Sequence, residues 1–84
     1  MSVGLHVAPW VAGTIATDYF GPIGVVVRDG DYERGMNRMF DALEEKTEAL
    51  GGNNVVGMDI EIDPYADPPQ FRAHGTAAKL AEIK

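Results

Sequence analysis

The clearest pattern in the chain is a helical one. Tyr32, Met36, Met39, Phe40, Leu43, Thr47 and Leu50 recur at the spacing of one face of a 3.6-residue period. Glu33, Asn37, Asp41, Glu44, Glu45 and Glu48 fill the opposite face. The spacing predicts an amphipathic helix that begins near Asp29–Asp31, where a carboxylate can accept the first free N–H groups. Gly51-Gly52 stops it, because glycine adopts the left-handed C′ conformation without a Cβ clash. Gly35 inside the helix costs about 1 kcal/mol against alanine, a cost that a close packing contact could offset.

Period-two patterns flank the helix. Val56, Met58, Ile60 and Ile62 alternate with Val55, Gly57, Asp59, Glu61 and Asp63, which predicts a strand with an apolar face and an acidic one. Pro64 to Pro69 is a turn, and Phe71 to Leu80 returns as a strand with Phe71, Ala73, Gly75 and Ala77 on one side. Arg72, His74, Thr76 and Ala78 lie on the other. Before the helix, Trp10 to Thr17 reads as a strand rich in β-branched residues, with Pro9 at its start and Gly13 marking a bend. Ile23 to Val27 fits either a short strand or an apolar loop docked on a neighbouring subunit.

Composition narrows the class. At 84 residues the chain is expected to form one domain, spanning 1–84, with a thin core. There are no cysteines, which excludes disulfides and thiolate metal sites. The net charge of −6 disfavours nucleic acid as a partner. No apolar run reaches membrane-span length, and the start of the chain lacks a signal-peptide pattern, so the expected location is cytoplasmic.

Tyr32-Glu33, the helix that follows, and Ala49-Leu-Gly-Gly-Asn-Asn-Val-Val-Gly-Met58 resemble the core of the YbjQ-like family. Gly75-Thr76-Ala77-Ala78-Lys79 is similar to that family's closing strand, and Val11-Ala12-Gly13-Thr14 more weakly to an earlier one. The resemblance implies an α+β fold, β-α-β-β and dodecin-like, with the helix packed on a small antiparallel sheet. It further implies a ring-forming homo-oligomer, often a pentamer, in a family named for heavy-metal binding whose activity is uncharacterised. This chain departs from the pattern by lacking about twenty N-terminal residues, a short version of the domain. Val3 to Ala8, or a partner subunit, would fill the place of the missing strand.

Candidate chemistry is sparse. If the apolar rows of the two last strands share a face, Asp59 and Glu61 meet Arg72 and His74 on the other. His74, Asp59 and Glu61 then offer an imidazole and two carboxylates to a divalent metal, or form ordinary surface salt bridges. His6 reads as a strand residue at a subunit contact rather than a ligand. Met36, Met39 and Met58 read as core. Trp10, Tyr19 and Phe20 could stack a small flat ligand or anchor a subunit interface. Asp29-Gly30-Asp31 only faintly echoes a calcium loop. No nucleophile elbow, phosphate loop or His-Glu-x-x-His pair occurs, so a non-enzymatic binding or assembly domain is the expected function.

Overall fold

The computed structural model describes residues 3–83. Met1, Ser2 and Lys84, the ends of the expected single domain, lie outside the described residues. Along the chain come β1 (Gly4–Leu5), β2 (Thr14–Arg28), α1 (Tyr32–Ala49), β3 (Asn54–Asp63) and β4 (Gln70–Glu82). The described strands form one sheet in the order β1-β3-β4-β2. β2 and β3 each run antiparallel to β4, whereas β1 runs parallel to β3. The antiparallel, dodecin-like arrangement is therefore overturned: the sheet is mixed and open, with β1 and β2 as its edges. The physical reason lies in the first residues, which add an edge strand on β3 in the parallel sense.

The helix forms where its pattern places it. Asp31 is the N-cap, and its carboxylate accepts the Arg34 N–H at 2.8 Å. At the other end Gly51, at φ +90°, sits in the left-handed region. The Gly52 and Gly51 N–H groups donate back to the Thr47 and Glu48 carbonyls, closing a Schellman motif. The buried stripe is narrower than the apolar row: Gly35, Met39, Leu43 and Thr47 are buried, while Tyr32 and Leu50 are exposed. The helix lies across β2 and β4, so only residues aimed at those strands lose all solvent.

Gly35 has its explanation in Phe71. A Cβ on Gly35 would stand 2.3 Å from Phe71 Cε1 and 2.6 Å from Cζ. The ring therefore occupies the space that any side chain there would need. Phe71 is 1% exposed, and its ring meets Tyr32 edge-on at 5.8 Å between centroids. Val25, Val27, Val55, Met58 and Ala73 complete this core, together with Val3.

A bulge corrects the expected face of β3. Val56 pairs with Thr76 and Asp59 with His74, so two residues, Gly57 and Met58, oppose Gly75 alone. Gly57 has φ +63°, as the first position of a glycine bulge requires. The extra residue shifts the alternation. Val55, not Val56, joins the helix-side core with Met58, Ile60 and Ile62. β2 is one strand of 15 residues, which settles Ile23–Val27 as strand. It begins at Thr14 rather than Trp10 and carries two irregularities, between Ala16 and Asp18 and between Tyr19 and Gly21.

The two asparagines after the helix tie the N-terminal segment down. Asn53 Nδ2 donates to the Leu80 carbonyl at 3.0 Å, and Asn53 Oδ1 accepts the Leu80 N–H at 2.9 Å. The side chain thus imitates a strand partner beyond the end of β3. With Asn53 Oδ1 fixed as an acceptor, Asn54 Nδ2 donates to it, and Asn54 Oδ1 is left facing His6 Nε2 at 2.9 Å. The network assigns the Nε2–H tautomer to a neutral His6. Gly4 leaves room for this pair, since a Cβ there would stand 2.4 Å from Asn54 Oδ1. Asn53→Ala strips both partners from the Leu80 backbone. A loss of about 1–3 kcal/mol is expected, measured by urea denaturation, with faster amide exchange at Leu80.

Candidate metal centre

On the sheet face away from the helix, β3 and β4 bring together the predicted residues. Asp59 lies directly opposite His74, and Glu61 opposite Arg72. Ligand atoms of Asp59, Glu61 and His74 all lie within 4.8 Å of one another. Asp59 Oδ1 accepts the Ile60 N–H at 3.0 Å, which leaves Oδ2 towards His74 Nε2 at 3.7 Å. Across β4 the neighbour of His74 is Gly24, so no side chain crowds the imidazole from β2.

The donor set of one imidazole and two carboxylates suits a divalent ion of the zinc type. Zinc bonds of about 2.0–2.2 Å set ligand atoms roughly 3.4 Å apart, so side-chain rotation must draw the three inward by about 1 Å. Each member is well exposed: 54% for His74, 65% for Asp59 and 62% for Glu61. Arg72 Nη1 stands 3.8 Å from Glu61 Oε2 and competes for it. Exposed pairs of this kind contribute about 0–1 kcal/mol to stability, so an arriving cation displaces little.

The other predicted residues do not converge. Trp10 and Tyr19 are 68% and 66% exposed. Phe20 is half-buried and turns to the helix end, 3.8 Å from where a Gly51 Cβ would stand. Among the described residues no two of these three rings stack. His6 is held in the asparagine network.

One polar cluster carries more structure than the sequence suggested. Asp29, whose side chain is 3% exposed, accepts from Arg34 Nε at 2.8 Å, Arg34 Nη2 at 2.7 Å, Arg38 Nη1 at 3.1 Å and the Asp31 N–H at 2.9 Å. The Arg34 hydrogen bonds, with the Asp31 N–H and Arg38, hold its carboxyl well below the usual range; burial opposes them and loses. Arg34 is raised in turn by Asp29. The sequence signal was the i, i+4 pair of arginines in the first turns of an otherwise acidic helix face. Asp29 read only as one of two N-cap candidates, and Asp31 takes that role.

Among the described residues no helix is long and apolar enough to cross a membrane. No family model matches the chain. It is similar in structure to a protein of unknown function from Pediococcus pentosaceus ATCC 25745, assigned to the DUF74 family. That likeness has a TM-score of 0.56 at 12% identity and covers 96% of this chain and 98% of the other. At this identity it establishes the fold alone: a small α+β domain of a kind whose known member is uncharacterised.

Proposed function

We propose that this chain is a non-enzymatic binding domain whose ligand is a divalent metal ion, held by Asp59, Glu61 and His74. The observation that carries the reading is the approach of three ligand atoms to within 4.8 Å on two directly paired strands. Strand pairing fixes the Cα positions, so only side-chain rotation is needed to close the set. Three protein ligands would leave the remaining positions to water. A metal so held would supply an exposed Lewis-acidic charge. Full solvation of the ligands makes the site weak and exchangeable. The resemblance to the YbjQ-like family, named for heavy-metal binding, agrees with this reading.

Calorimetric titration with zinc, copper and nickel tests it. Heat of binding is expected for the wild type, reduced at least tenfold in affinity by His74→Ala. Unchanged heat in that variant would remove the assignment.

A second reading, self-association, has its own support. Trp10, Ile15, Tyr19 and Ile83 are each 59–68% exposed, more apolar surface than so small a domain ordinarily leaves in water. Cytoplasmic location accompanies both readings.

A further inference from the structure

β4 outruns β3. Their pairing ends at Asn54 with Ala78, while β4 continues to Glu82 beside β2. From Thr14 to Asp18 and from Lys79 to Glu82 the sheet is therefore a two-stranded ribbon. Such a ribbon is marginal in water without a covering layer. The molecule measures 47 × 22 × 20 Å, so the long axis far exceeds the other two.

This ribbon is apolar on both sides. Ile15 pairs with Ala81 on one face, and Ala16 with Leu80 on the other, the face that Tyr19 shares through its pairing with Ala78. Trp10 precedes the turn into β2, and Ile83 closes onto that turn through its N–H to the Gly13 carbonyl at 2.9 Å. The four exposed side chains present on the order of 500 Å², a large part of the ~800 Å² that one partner buries in a standard interface.

The other half of β2 is guarded. Arg38 Nη1 reaches the Arg28 carbonyl at 3.0 Å, and Lys46 Nζ reaches the Gly24 carbonyl at 2.8 Å. These residues and Pro22 share the parity that points backbone groups away from β4, and Pro22 has no N–H to offer. Two cations from α1 and one proline therefore block strand addition along Pro22–Arg28. No such cation covers the ribbon.

Charge selects the partner. The chain carries −6 overall, and its acids crowd the outer face of α1 and the acidic face of β3. Among residues 10–19 and 79–83 the only charged side chains are Asp18, Lys79 and Glu82. A second, equally acidic copy meets the least repulsion there.

We infer that the β2–β4 ribbon docks on a second copy of this chain, with Trp10 and Tyr19 as anchors. The inference rests on the self-association reading. Light scattering or native mass spectrometry of the full chain at micromolar concentration tests both. The wild type is expected at a multiple of 9.1 kDa, and the Trp10→Ser/Tyr19→Ser variant at 9.1 kDa with an unchanged far-ultraviolet spectrum. Association weakened on the order of 30-fold per anchor is the expected size of effect. A monomeric wild type removes self-association altogether. A wild-type multimer that persists in the double variant leaves self-association standing and overturns the ribbon. Should the double variant unfold, Ile83→Lys decides in the same way: monomer supports the ribbon, multimer refutes it. Val26→Ser, at an exposed site on the guarded half, is expected to leave the mass unchanged, and its dissociation would equally count against the ribbon.

Discussion

Phe71→Ala is expected to cost about 3–5 kcal/mol, a large share of the 5–15 kcal/mol that holds a typical domain together. The ring is the largest fully buried side chain and fills the gap between α1 and β4. The converse substitution tests the same contact from the helix. Gly35→Ala gains about 1 kcal/mol of helix propensity, and on an exposed helix face it would stabilise. Here the new methyl meets the ring of a residue 1% exposed, which has nowhere to go. Net destabilisation of about 1–3 kcal/mol is expected. Combining Gly35→Ala with Phe71→Leu removes the clash, so the two changes together cost less than their sum. Urea denaturation of the four proteins in the cycle measures it. Additive losses would show that the ring and the glycine are not in contact.

The second large effect concerns Asp29. Its carboxyl is held below its ordinary value of 3.8 by Arg34 first, then the Asp31 N–H and Arg38. A depressed folded-state value means that the stabilisation is fully present above the unfolded value. It is lost as the pH falls below about 4 and through the folded value. Asp29→Asn keeps the shape and removes the charge. At neutral pH its Tm is expected to fall by roughly 5–10 °C, because Arg34 and Arg38 lose their common partner and the first turn of α1 loosens. Below about pH 3 the gap between variant and wild type narrows. Thermal melts between pH 2 and 7 read this directly; a gap independent of pH would mean that the carboxylate charge is not what matters.

How much of this was legible beforehand depends on whether a signal was local. The helix and its two ends were readable, because a 3.6-residue period, an aspartate cap and a glycine pair each act within a few residues. The pairing of Asp59 with His74 was readable only conditionally. It followed from two apolar rows sharing a face, and the bulge at Gly57 happens to lie before Asp59, so the later register survives. The same bulge spoiled the assignment of Val55 and Val56, since one left-handed glycine reverses every side chain on one side of it. The parallel edge strand was not readable at all: two residues, Gly4 and Leu5, have no periodicity. Their placement depends on Asn53 and Asn54, some fifty positions away. Gly35 could be marked as costly from sequence, but its compensation by Phe71 is a long-range contact that no local pattern carries. The clustering of Trp10, Tyr19 and Phe20 failed because adjacent strand residues point to opposite faces and an irregularity intervenes.

The most direct test of the metal assignment is amide chemical-shift mapping of the full chain during titration with zinc. Perturbations should centre on Asp59–Glu61 and Arg72–His74, and vanish in His74→Ala. Shifts that gather around His6 instead, or a spectrum that zinc leaves untouched, would contradict it.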